Sequence, residues 1–101
     1  MTDELVAIGD QSFTASTPDG AVFVRVAVRG HVLGVQLEPE VMVRPGHEIA
    51  ERIIACADVA YLQGQLAVRA QWEQANVDPG CFEDMPTERD LDAARARLRG
   101  L

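Results

Sequence analysis

The sequence predicts an α+β fold in which a three-stranded antiparallel meander is followed by a long helix and a short C-terminal helix. Three observations carry the prediction. Val22, Val24, Val26 and Val28 alternate with Phe23, Arg25, Ala27 and Arg29 at a period of two, the pattern of a half-buried strand. From about His47 to Gln74, apolar Ile49, Ile53, Cys56, Ala57, Ala60 and Tyr61 recur every three or four residues, the pattern of an amphipathic helix. Turn residues, Pro18-Asp19-Gly20 and Gly30-His31, stand where a meander must reverse direction.

Residues 1–10 mix acidic and small apolar positions without a period and are expected to form a loosely held arm. The hydroxyl-rich run from Gln11 to Thr17 alternates weakly and suits an edge strand. The valine strand comes next. Its valines are expected in the core, with Arg25 and Arg29 emerging together on the other face. Leu33, Val35 and Leu37 alternate with polar or small neighbours in a third strand, which Pro39 ends. Pro45 and Gly46 mark the start of the long helix, because the fixed φ of proline suits a first helical turn. Glu48 and Arg52 are ordered for an i,i+4 ion pair.

That helix outruns its sheet. About 28 residues give roughly 42 Å of helix, whereas a strand of about eight residues spans some 26 Å. The overhanging half holds Leu66, Val68 and Trp72 and needs another surface, from a partner chain or from the C-terminal segment. Residues 76–101 are expected to be a linker and a short helix. The run Thr87-Glu88-Arg89-Asp90 resembles an N-cap with acidic first turn, and Arg95, Arg97 and Arg99 load the last turn before Gly100. The stripe of this helix is only Leu91, Ala94 and Leu98, which suits docking against another surface.

Composition narrows the function. The chain of 101 residues has room for one modest core. Nine basic residues, all arginine, face sixteen acidic ones, for a net charge of -7. Phosphate binding is driven by basic side chains that release counterions, so an acidic chain must gather its arginines on one face to hold DNA. No apolar stretch approaches the roughly 20 residues of a membrane span, and Met1 to Gly9 lacks the pattern of a signal peptide, so a cytoplasmic location is expected.

No catalytic, cofactor or metal site is expected. Cys56 and Cys81 form no C-x-x-C pair, and His31 and His47 lie at no metal-like spacing from them. There is no G-x-S-x-G elbow, and the glycines follow no phosphate-cradling order. The carboxylate pairs Glu38 with Glu40 and Glu83 with Asp84 fall in loops without an acid-base partner, so solvated surface accounts for them. His31 at a turn and His47 at a helix start are expected to be surface residues. Cys56 belongs to the apolar helix face, and Cys81 to a loop.

The stretch from Pro18 to Leu37, with its V-x-V-x-V strand, glycine turn and second strand, and the helix from Glu48 to Ala60, with its A-x-x-A spacing, resemble the YbaB/EbfC proteins. They look closer still to actinobacterial EspD/EspH-like and EspL-like proteins that accompany type VII secretion systems. The resemblance covers about Ser12 to Gln74, within a YbaB-like β-β-β-α unit at residues 11–75. It departs from the YbaB pattern in having only about ten residues where a long helix precedes the first strand. What it implies is a homodimer without cofactor, catalysis or small-molecule substrate. In the secretion-associated relatives it implies a cytoplasmic adaptor or chaperone for another protein; the uncovered end of the long helix and the terminal stripe then make Leu66, Val68, Trp72, Leu91 and Leu98 the expected protein interface. In the YbaB type it implies nucleoid association through sequence-nonspecific DNA binding; Arg25 and Arg29 on the exposed strand face and Arg95, Arg97 and Arg99 on the terminal helix are then the expected phosphate contacts.

Overall fold

The structure, a computed structural model, describes residues 10–101; the expected N-terminal arm lies almost wholly outside them. Three strands, β1 (Ser12–Ser16), β2 (Val22–Ala27) and β3 (Val32–Leu37), form an antiparallel sheet in the order β1-β2-β3. Helix α1 (Gly46–Gln74) and helix α2 (Glu88–Arg99) follow. Short 3-10 turns at Pro39–Val43 and Pro79–Cys81 bridge the elements. Sequence periodicity could not show those turns, because a segment of three to five residues is too short to display one.

The alternation in β2 has the predicted consequence. Val22, Val24, Val26 and Val28 are all buried, while Arg25 and Arg29 are exposed. Ala27, expected beside the arginines, is buried because it closes the turn into β3, where its N–H donates to the His31 carbonyl and its carbonyl accepts from Gly30 N–H. Gly30 takes φ +109° there, which favours glycine.

The β1–β2 turn is held by Thr17 and Asp19. The Thr17 hydroxyl donates to Asp19 Oδ1 at 2.7 Å and accepts from Val22 N–H, and Ala21 N–H donates to the same carboxylate oxygen. Thr17 is thus a buried polar residue with its hydrogen bonds satisfied. Gly20 completes the turn at φ +73°.

In β3 the strict alternation breaks. Arg25 pairs with Gly34, but Val26 pairs with Val32, so Leu33 is the extra residue of a β-bulge. The expected apolar face is also not carried into the core, since Leu33 and Val35 are 46% and 41% exposed and only Leu37 is half-buried.

Helix α1 lies along the sheet parallel to β2. The Cys56 thiol approaches the Val22 carbonyl at 3.9 Å, and one turn beyond Ala60 the Gln65 amide donates to the Val28 carbonyl. Gly64 lets helix and sheet approach closely. A Cβ there would stand 3.1 Å from the Phe13 ring and 3.4 Å from Val28 Cγ2. The core gathers Val22, Val24 and Val26 from β2, Val41 from the first 3-10 turn, Ala55, Cys56, Val59 and Ala60 from α1, and Leu91 and Leu98 from α2. Burial pushes the Cys56 thiol up to a pKa of about 11.

The overhang of α1 is real and is covered from within the chain. Residues after Gln65 run past the sheet, and α1 ends in a Schellman motif: Asn76 adopts φ 60°, Val77 N–H donates to the Trp72 carbonyl and Asn76 N–H to that of Glu73. The linker then folds back. Phe82 is buried, its ring centroid 6.3 Å from that of Trp72, and the Arg69 guanidinium sits 5.4 Å from the Phe82 ring while donating to the Pro86 carbonyl. From there α2 returns antiparallel to α1, with Arg97 3.2 Å from Asp58 and Arg52 donating to the Leu101 carbonyl. Thr87 and Asp90 close its N-terminus, since both the backbone N–H and the hydroxyl of Thr87 donate to Asp90 Oδ2.

Candidate interaction surface

Two helices cover only part of the sheet. Helix α1 lies over β1 and β2, and α2 flanks α1 on the β1 side, where Arg95, Arg99 and Leu98 share a groove with Ala15, Val59 and Gln63. Among the described residues, nothing covers the core-side face of β3. Val32 and Val35 pair with Val26 and Val24 and therefore face the helix layer, yet they are 50% and 41% exposed.

The flank of α1 above β3 is apolar as well. Ile54 and Tyr61, seven residues apart and so on one helix face, are 52% and 39% exposed. Tyr61 stands beside the β2–β3 turn, since a Cβ on Gly30 would lie 3.4 Å from its ring. Val32, Val35, Ile54 and Tyr61 thus border one trough. Leu37, Ile53 and Ala57 form its inner wall, half-buried against the core. Met42 and Val43, in the connection that follows Leu37, are also exposed.

The expected interface residues fall elsewhere. Leu66 packs on the core, and Val68 and Trp72 are half-buried. Leu91 and Leu98, expected as a second docking surface for a partner, are 4% and 7% exposed because they seat α2 on α1 of the same chain. The groove beside Trp72's turn is lined by Leu66, Arg69, Ala70 and Glu73 of α1 with Thr87 and Glu88 of α2.

The arginines named for DNA are divided between two sides. Arg25 projects from the sheet face away from the helices, where it lines a depression with Thr14, Phe23 and Gln36, and Arg29 lies at the adjacent turn. Arg95 and Arg99 belong to the helix layer, and Arg97 is paired with Asp58. The expected Glu48–Arg52 pair is long at 4.0 Å, because Arg52 reaches the Glu48 and Leu101 carbonyls and Glu48 lies closer to Arg44, at 3.2 Å.

Among the described residues, no group of three or more His, Cys, Asp or Glu side chains is placed to hold a metal ion. No helix among them is long and apolar enough to cross a membrane.

A family model described as protein of unknown function (DUF2694) matches residues 4–100. The chain belongs to this family. No curated protein and no solved structure matches it. The DUF2694 match spans the sheet, α1, the linker and α2 together, so the trough and the Trp72 end belong to one family unit.

Sequence reading missed the trough for an identifiable reason. Ile54 directly follows Ile53, and Tyr61 follows Ala60, so the apolar arc of α1 is wider than one sheet contact requires. That width was the available signal. It becomes meaningful only once α1 is seen to lie over β1 and β2 and to leave β3 bare.

Proposed function

We propose that this protein acts by binding other proteins and performs no catalysis: a cytoplasmic, homodimeric adaptor or chaperone, of the kind that the resemblance to secretion-associated Esp-like proteins implies. The observation that supports this best is the trough. Four large apolar side chains exposed along one flank are costly to leave in water and are the usual mark of a surface that meets another macromolecule. The acidic balance of the chain and the separation of Arg25 from Arg95 and Arg99 favour a protein partner over DNA.

In this reading the client meets the far end of α1, the part that carries Leu66, Val68 and Trp72 and where Leu66 borders a groove with Ala70 and Glu88. The test is a photo-crosslinking residue placed at exposed Ala70, with exposed Asp92 on α2 as control, in cells that make the full chain at its normal level. One defined protein, other than the chain itself, captured at position 70 and not at 92 is the expected result. Equal capture at both positions, together with a random-sequence duplex that shifts at low salt and is released as salt rises, would replace this reading with the nucleic-acid one.

A further inference from the structure

We propose that the trough between α1 and β3 is the seat of a second copy of this chain, lying antiparallel to the first. The inference rests on the homodimeric part of the function proposed above and specifies its surface, whose apolar residues are not among the protein-interface residues expected from the sequence.

Three features point to a second copy rather than to an unrelated protein. The first is shape. The trough is half ridge and half floor: Ile54 and Tyr61 form the ridge, and Val32 and Val35 the floor. Seven helical steps from Ile54 to Tyr61 span about 10 Å, while Val32 and Val35, which oppose Val26 and Val24 across the bulge, lie about 7 Å apart along the strand, so the shorter floor fits within the ridge. A two-fold axis across the trough lays the ridge of each copy on the floor of the other. Such a contact is isologous and closes on itself, so it forms a pair and not a filament.

The second feature is charge. Helix α1 runs antiparallel to β3, so the trough has two distinct ends. Exposed Arg29 and His31 flank the end where Tyr61 stands, and exposed Glu38 and Glu40 flank the end where Leu37 stands. No residue of β3 itself is charged. A two-fold axis at right angles to the trough exchanges its ends, so the basic end of each copy meets the acidic end of the other. A partner in the parallel orientation would oppose like charges at both ends, which costs association.

The third feature is the unprotected edge. Among the described residues β3 is an outer strand with one unpaired row of backbone groups, and neither lysine, proline nor an inward charge blocks it within Val32–Leu37. A second copy seated over β3 shields that edge, whereas the opposite flank of α1 is already occupied by α2 of the same chain.

Light scattering coupled to size exclusion, over a concentration series of the full chain, gives the expected two-copy mass. Val35→Arg and Ile54→Glu, at positions already exposed, should each weaken association by about a hundredfold or more while the far-ultraviolet dichroism stays unchanged. Ala70→Arg, at the other end of α1, should leave association intact. A sharper test uses two charge variants. Glu38→Arg with Glu40→Arg makes both ends basic, and Arg29→Glu with His31→Glu makes both ends acidic. Each variant alone should associate more weakly than the native chain, and an equal mixture of the two should recover the pair.

A dimer that survives Val35→Arg and Ile54→Glu but is broken by Ala70→Arg would overturn the assignment of the trough and leave the homodimeric reading standing. A native chain that stays monomeric at about 100 µM would overturn both; the client experiment at Ala70 is independent of either result. Failure of the mixed charge variants to recover association would overturn the antiparallel arrangement.

Discussion

The indole ring of Trp72 and the phenyl ring of Phe82 stand 6.3 Å apart at an interplanar angle of 53°. Ten residues separate them in sequence, and the Schellman turn at Asn76 brings the linker back to make the contact. This pair closes the end of α1 that no strand supports. Phe82→Ala should therefore lower stability by about 3 kcal/mol, the cost of emptying a buried phenyl site. It should also shift the emission of Trp72, the only tryptophan, to longer wavelength. Equal stability with unshifted emission would mean that the linker contributes nothing to the overhang.

At Gly64 helix α1 packs closely on Phe13 of β1. Gly64→Leu should lower stability by about 1–3 kcal/mol, because the added side chain meets the Phe13 ring and Val28 together. Gly64→Ala is a finer probe. Gain in helix propensity, about 1 kcal/mol, opposes a contact that Phe13 on its edge strand must yield by a few tenths of an ångström. Urea midpoints of the two variants, compared with the native chain, measure both effects.

Much of this arrangement was legible in the residues themselves. Alternating valines placed β2, turn chemistry at Asp19 and Gly20 placed the first hairpin, and the Thr87 to Asp90 spacing placed the start of α2. The excess length of α1 over its sheet was also readable. What covers that excess was not, since Phe82 sits in a segment with no period, and its partner Trp72 is reached only through the left-handed turn at Asn76. The bare face of β3 was hidden for a different reason. Hydrophobic spacing tells which face of a strand is apolar, but not how far sideways a helix lies across the sheet. Leu33 shows the same limit, for the bulge that breaks its alternation with Val35 depends on pairing with β2 and not on β3 alone.

Asp19 gives the hairpin a pH dependence of known sign. Hydrogen bonds, first from the Thr17 hydroxyl and then from Ala21 N–H, hold its carboxyl below the ordinary value of 3.8. A depressed folded-state pKa means that the stabilisation is present above pH 3.8 and is lost as pH falls below it. Asp19→Asn should abolish this component. Acid titration of thermal midpoints for the native chain and the variant should differ in slope below that pH; parallel curves would show that the turn does not depend on the carboxylate.

The two thiols should be readily told apart. Cys81 is exposed, whereas Cys56 is buried and its thiolate disfavoured. At pH 8 a thiol reagent should modify one cysteine of the folded chain rapidly and the second only in denaturant. Because the folded-state value of Cys56 is raised, its contribution to stability is complete below the ordinary value of 9.0 and is lost as pH rises through about 11. Rapid labelling of both thiols in the absence of denaturant would mean that the α1 core opens readily.

Helix α1 carries no break between Gly46 and Gln74. Ile54 and Trp72 lie 18 positions apart on it, a separation of about 27 Å along one axis. Helix α1 is therefore a stiff spacer between the two surfaces proposed above, and ligands bound at the two ends would be too far apart to touch. In a pair of chains, the distance between the two Trp72 ends is set by two rods rather than by a flexible tether. A partner with two matching sites at that distance would gain avidity from a preset geometry, and one with a different spacing would gain none.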